Sequence, residues 1–305
     1  MTAANVQITF NKSTNKFTCL IEGNKFTTSK QDYIEYMYKK ITGVKKSFAD
    51  ITASKKQSTS EKFNINERFE FVEGLINMIA AGLTPSAVIT GEGGLGKTYT
   101  VTKTLVANGL KDLSDSGALE VGSVIDRTSS FMSVKGYSTA KGLYRTLYEN
   151  KDSVVVFDDC DAVLKDPVAT NLLKAALDSY GKRIISWNSD MRDEDLPRSF
   201  EFKGRVIFIS NLSQDKIDQA IRSRSMMVDL TMNEDQKIER MGTIALSDEF
   251  LPEFSNEYKQ DALDLIKSLK NDAKEISLRT LISVTKIRAS GNKNWKGMAT
   301  YILCN

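Results

Sequence analysis

Gly91-Glu92-Gly93-Gly94-Leu95-Gly96-Lys97-Thr98 follows a short apolar run at residues 87–90 and opens onto a helical pattern over residues 97–109. It satisfies G-x-x-x-x-G-K-[ST] with a strand before it and a helix after it, the setting in which that spacing cradles phosphate. Glycines let backbone N–H groups turn inward around phosphate oxygens, and the helix N-terminus adds partial positive charge. The lysine then reaches the β- and γ-phosphates and the hydroxyl meets Mg²⁺. Gly91, Glu92, Gly93, Gly94, Leu95 and Gly96, with Lys97, Thr98 and Tyr99 at the helix start, are therefore expected to hold a nucleotide, and Thr98 to be a metal ligand.

The next informative run is Val154-Val155-Val156-Phe157-Asp158-Asp159. Four consecutive apolar residues belong to a central strand, and acidic residues at its C-terminal end lie where doubly wound sheets bind ligands. Asp158 is expected to hold Mg²⁺, mostly through water. Asp159 is expected to orient or deprotonate the water that attacks a γ-phosphate.

Around these runs the chain alternates helix and strand. Helical patterns over 67–81, 97–109, 139–148 and 169–180 alternate with strand patterns over 87–90, 121–125, 154–157, 205–210 and 226–230. A hairpin is expected from 183–187 and 200–202. Such alternation predicts a parallel sheet with helices on both faces. Beyond residue 231 strand signals stop and a helical bundle is expected. Before residue 63, Val6, Ile8 and Phe10 alternate with polar residues, a turn follows, and 17–21 resumes the extended pattern, which predicts a hairpin. Tyr33, Ile34, Met37, Tyr38 and Ile41 then recur at helical spacing behind Ser29 as N-cap. The expected division is a small basic domain over 1–52, a linker over 53–62, an α/β core over 63–230 and helices over 231–305.

Composition bounds the chemistry. The 305 residues contain no histidine and only three widely spaced cysteines, Cys19, Cys160 and Cys304, which excludes Cys/His zinc clusters and any histidine-based triad or general base. The cysteine pattern suits a reducing compartment, and no apolar run approaches the ~18–20 residues that span a bilayer. A cytoplasmic location with no membrane partner is expected. The net charge of +3 announces no partner, but it is uneven. Residues 1–62 hold eleven lysines against five carboxylates, leaving the remainder at −3. The basic segment is read either as a face for DNA, RNA or an acidic protein, or as solvating lysines.

The run Val154–Leu164 resembles the Walker B segment of AAA+ ATPases, four apolar residues followed by Asp-Glu, an apolar residue and Asp, here Asp158, Asp159, Cys160 and Asp161. Asp159 stands where that family usually has Glu, one methylene shorter, which implies slower hydrolysis rather than weaker nucleotide binding. Residues 205–211, ending at Asn211, resemble the family's sensor 1, whose Asn positions the attacking water. Residues 217–224 resemble the segment carrying an arginine finger, with Arg224 as the finger and Arg222 as helper or alternative. Glu275 to Leu281 resembles sensor 2, whose arginine, here Arg279, folds a lid onto the γ-phosphate. The resemblance covers 63 to about 290 and extends, without a quotable motif, to AAA+ proteins of large tailed phages.

It implies an α/β fold with a Rossmann-like P-loop parallel sheet core and a C-terminal helical lid, to which the pattern before residue 63 adds a small α+β N-terminal domain that the resemblance does not reach. It also implies Mg²⁺-dependent ATP hydrolysis in a homo-oligomeric ring or partial ring, by expectation a hexamer, located in the host cytoplasm if phage-encoded. Residues 126–140 lie where ring-shaped relatives place a pore loop, so Phe131, Lys135 and Tyr137 are candidate contacts to a polymer. DNA transactions are the leading use, since both ends of the chain are basic; Trp295 sits among Lys286, Arg288, Lys293 and Lys296. A protein remodeller and a slow nucleotide-switched scaffold are the alternatives.

Overall fold

The computed structural model describes residues 6–11, 14–45, 47–48, 51, 62–114, 126–136, 138–188 and 196–305. The chain divides into two compact units, Met1–Lys62 and Phe63–Asn305. The expected linker falls almost wholly outside the described residues, as do the strand expected at 121–125 and Tyr137.

In the first unit, β1 (Val6–Asn11), β2 (Lys16–Ile21) and β3 (Asn24–Thr28) form an antiparallel meander and α1 (Gln31–Thr42) follows. The third strand was not expected. It is joined to β2 by the two-residue turn Glu22-Gly23, both at positive φ (45° and 80°), with Ile21 opposite Asn24. This is the hairpin geometry whose twist matches that of the flanking strands, written here without the usual Asn or Asp. The helix begins after Lys30, whose side chain makes no cap bond, so Ser29 is not the cap. Ile21, Tyr38 and Ile51 form the core of this unit, with Ile8, Phe26 and Ile41 packed against them.

The second unit is built on a six-stranded, wholly parallel sheet. Its strands are β4 (Ser86–Thr90), β5 (Lys111–Asp112), β6 (Ser130–Lys135), β7 (Val154–Asp158), β10 (Arg205–Ser210) and β11 (Met226–Asp229), in spatial order β11-β4-β10-β7-β6-β5. Side chains alternate between two cores. Ala87, Ile89, Val154, Val156, Ile207 and Ile209 face one side, covered by α2 (Ile65–Ala80) and α3 (Lys97–Ala107). Val88, Val155, Phe157, Val206 and Phe208 face the other, covered by α4 (Ala140–Glu149), α5 (Asp161–Lys165) and α6 (Pro167–Ala176). Coverage on both faces is why these strands read as unbroken apolar runs. The expected hairpin is present as β8 (Ile184–Ser186) and β9 (Ser199–Glu201), extended by the Trp187 N–H donating to the Arg198 carbonyl at 2.8 Å.

A short helix, α7 (Gln219–Arg222), leads into β11. Four helices then follow: α8 (Glu234–Ala245), α9 (Asn256–Ser268), α10 (Leu278–Ala289) and α11 (Trp295–Cys304). They bury Met241, Leu263, Ile266, Leu281, Val284 and Leu303 in a core of their own. Side-chain caps at Asn233, Ser255 and Ser277 start the first three of them. Among the described residues no helix is long and apolar enough to cross a membrane.

Candidate functional site

The order of the strands decides what meets at the C-terminal edge of the sheet. Because β10 lies between β4 and β7, the residue after β10 stands between the glycine loop that follows β4 and the carboxylates that end β7. Asn211 occupies that place. Its Oδ1 accepts from Lys97 Nζ at 3.0 Å and its Nδ2 donates to Asp159 Oδ1 at 2.7 Å.

The glycine loop turns as its sequence demands. Gly91 has φ 136°, and a Cβ there would lie 2.8 Å from the Leu230 carbonyl carbon at the end of β11, a contact only glycine avoids. Lys97 begins α3 and is buried, its Nζ donating to the Gly91 and Glu92 carbonyls at 2.7 and 2.6 Å. Burial pushes its pKa below the ordinary lysine value, while Asp159, Asp158, Asp161 and Glu92 pull it back toward the charged form. One residue on, the Thr98 hydroxyl donates to Asp158 at 3.0 and 3.1 Å from its two oxygens. A hydroxyl and a carboxylate are thus held on adjacent elements, with no cluster of three metal-ligating side chains among the described residues. That donor set fits Mg²⁺, which keeps waters and phosphate oxygens and takes few ligands from the protein.

Asp159 adopts φ 55°, and its N–H donates to the Ile209 carbonyl at 3.1 Å. The left-handed region is several-fold enriched in Asn and Asp among non-glycine residues, which gives a physical reason for Asp at this position. Asp161 accepts from the Ser210 hydroxyl at 2.6 Å, joining the ends of β7 and β10. The buried Cys160 thiol, between these carboxylates, is pushed up to about 11, chiefly by burial.

The C-terminal helices close the other side of the cleft. The Leu278 N–H, at the start of α10, donates to the Gly94 carbonyl at 2.8 Å. Arg279 Nη1 lies 3.9 Å from where a Cβ on Gly93 would sit, and Arg279 and Ile282 line the cleft opposite Lys97, Asp158 and Asn211. Two of the residues expected to hold nucleotide also tie their side chains to these helices or the loops between them. The Glu92 carboxylate pairs with Lys237, and the Tyr99 hydroxyl donates to Glu249, which also pairs with Lys103. Leu95 is buried, its side chain belonging to the core on the α2 and α3 side of the sheet.

One expectation is corrected, the placing of Phe131 in a loop, and Lys135 and Arg288 have partners within the fold. Phe131 and Met132 are not in a loop: they belong to β6, and Phe131 is fully buried in the sheet core, out of reach of any polymer. Lys135 ends that strand directly opposite Asp158 in the register, its Nζ 3.7 Å from Asp158 Oδ2, so it faces this site. The basic character of the C-terminus is partly internal, since Arg288 pairs with Asp261 and Glu257 and lies over the rings of Tyr258 and Trp295.

Arg222 and Arg224 are not brought to this cleft. They precede β11, whose Met226 pairs with Ala87 at the start of β4, so they lie at the N-terminal edge of the sheet. About 13 Å of strand separates that edge from the glycine loop. Arg224 Nη1 donates to the Ala220 carbonyl at 3.1 Å, and its Nε is buried without a partner.

No family model matches the chain. It is 30% identical over 285 residues to an uncharacterized 36.7 kDa protein encoded in the nrdC–mobD intergenic region of Enterobacteria phage T4, a match spanning 88% of this chain and 80% of the phage protein. The chain belongs to the family of that phage T4 protein. In this member of the phage protein's family, sequence reasoning named Lys135 as a polymer contact and missed its place opposite Asp158, because Ser130, Ser133 and Lys135 give the β6 segment a loop-like pattern. It also missed Glu92–Lys237 and Tyr99–Glu249, contacts between elements distant in sequence that no local pattern announces.

Proposed function

We propose that this chain is a P-loop ATPase of the AAA+ type that binds ATP with Mg²⁺ and hydrolyses it between copies of itself. The observation that carries this reading is the convergence of Lys97, Thr98, Asp158, Asp159 and Asn211 from three neighbouring elements, with Arg279 facing them from α10. A buried ammonium held by main-chain carbonyls is poised to meet phosphate oxygens. Thr98 and Asp158 would hold Mg²⁺, which when bound neutralises charge on the phosphates. Asp159, oriented by Asn211, takes or steers the proton of an attacking water. Residues 231–305 serve as the lid, tied to the glycine loop through Leu278 and Lys237 and to α3 through Glu249.

Arg222 and Arg224, at the far edge of the sheet, act on the nucleotide of an adjacent copy, where a guanidinium stabilises charge developing on phosphoryl oxygens. That role supports a ring or partial ring. The family's phage member supports a phage origin and hence a host-cytoplasmic setting for the DNA transactions proposed as its use. Protein remodelling is the alternative use. A slow nucleotide switch is the second reading, favoured by Asp159 itself, a carboxylate one methylene shorter than the Glu usual in AAA+ ATPases and fixed at one oxygen by Asn211 at 2.7 Å.

Steady-state ATPase rate, alone and with single-stranded DNA, duplex DNA or unfolded protein, tests the reading against Lys97→Ala. Turnover above that variant supports an ATPase, and stimulation by one polymer identifies the substrate. No turnover above it in any condition overturns the motor and leaves the switch.

A further inference from the structure

We infer that the N-terminal unit binds single-stranded nucleic acid on the face of α1 that carries Tyr33 and Tyr36. The helix buries Ile34 and Tyr38 against its sheet and turns Tyr33, Tyr36, Met37 and Lys40 to another side. Tyr33 and Tyr36 are 44% and 58% exposed. Their ring centroids are 6.2 Å apart with planes at 33°, and Tyr33 meets Phe26 edge-on at 6.0 Å. Rings braced against one another and open to solvent form a platform, because little side-chain freedom is left to lose when a base stacks on them.

Charge selects the occupant. Residues 1–62 carry eleven lysines, five carboxylates and no arginine. Lys39 and Lys40 lie in the last turn of α1, and Lys30 at its start. Of the two carboxylates on the helix, Glu35 is engaged by the Phe48 N–H, while Asp32, one turn before Tyr36, is outnumbered by these lysines. Lysines without arginines supply point charges for phosphates but no bidentate forks for reading base edges, so binding is expected to be insensitive to sequence. Exposed rings have no use on a paired duplex, whose bases are already stacked, whereas unpaired bases offer their faces. An acidic protein would engage the lysines and leave the tyrosines idle.

This inference specifies the polymer for the reading above but rests on a different unit of the chain, and failure of ATP binding would leave it standing. The test is fluorescence anisotropy of the full chain with a labelled oligothymidine of about 20 nucleotides, a duplex of equal length and poly-glutamate, between roughly 50 and 200 mM salt. Single strand is expected to bind more tightly than duplex. Tyr33→Ala/Tyr36→Ala should weaken it by about tenfold or more, and Tyr33→Phe/Tyr36→Phe should leave it nearly unchanged. Lys39→Gln/Lys40→Gln should flatten the salt dependence by about one to two contacts' worth. Lys97→Ala should bind oligothymidine as the parent does, which separates this site from the nucleotide cleft. No binding at the lowest salt, duplex favoured over single strand, or poly-glutamate binding with no effect of the tyrosine substitutions on oligothymidine overturns the inference.

Discussion

Leu278 donates its backbone N–H to the carbonyl of Gly94 at 2.8 Å, a main-chain bond between the first residue of α10 and the middle of the glycine loop. Neither side chain is needed for it, so substitutions act on the link by moving backbone. Gly94 has φ 75°, and a Cβ there would come 3.1 Å from Ser277 Cβ. Gly94→Ala should strain the loop and push the helices away. Affinity for a fluorescent ATP analogue should fall about tenfold and stability by roughly 1–2 kcal/mol, read from the urea midpoint.

Asn211 touches both Lys97 and Asp159, yet the proposed role of its amide belongs to the reaction rather than to ATP binding. Asn211→Ala should lower kcat by about 100-fold while the nucleotide Kd changes by less than about threefold. Equal loss in both would assign Asn211 to binding.

Asp159→Asn should abolish turnover and keep nucleotide affinity. Asp159→Glu is a separate probe, because the left-handed backbone there tolerates Glu less well than Asp. A stability loss of about 1 kcal/mol is expected in thermal or urea unfolding. Turnover per folded molecule should rise if the shorter carboxylate is what limits the rate.

Lys135 stands 3.7 Å from Asp158, the carboxylate assigned to Mg²⁺. In the proposed Mg²⁺ site its ammonium would compete with the cation for the Asp158 carboxylate. Lys135→Ala should therefore lower the Mg²⁺ concentration needed for half-maximal ATPase activity, by up to about fivefold given how exposed the lysine is. A higher Mg²⁺ requirement in the variant would assign Lys135 to supporting the metal site instead.

Thiol chemistry checks burial. Ellman's reagent at about pH 8 should label Cys304, while the buried Cys19 and Cys160 react only after unfolding. Cys160 also gives a pH signature. Its thiol ionises at about 11 when folded against an ordinary 9.0, so the stability it contributes is present below pH 9 and is lost as pH rises toward about 11. The urea midpoint of Cys160→Ala should decline less steeply across that window than the parent's.

The sheet was legible in the sequence wherever burial on both faces wrote an unbroken apolar run, as at 154–157 and 206–209. The glycine loop was legible because its conformation leaves little choice of residue. β6 was not, since Ser130, Ser133 and Lys135 interrupt its apolar residues and imitate a loop, and Phe131 then looked like an exposed aromatic. β3 hid because Glu22-Gly23 is an unusual spelling of a tight turn. Within the site, every polar contact formed at the ends of adjacent strands was foreseeable once strand order was known. Contacts from the C-terminal helices were foreseeable only at Arg279, because packing between distant helices leaves no local periodic trace.

The placement of Arg222 and Arg224 at the edge opposite the cleft has an arithmetic consequence for mixtures. Copies joined head to tail in an open row of n would complete n − 1 clefts, and only closure into a ring completes them all. In the role proposed for these arginines, working sites would be counted by junctions rather than by chains, and specific activity would climb as the protein is concentrated. A copy lacking Arg224 would retain its own competence and silence the neighbour into which it reaches. Doping such copies into the parent would show damage that is borne by intact molecules.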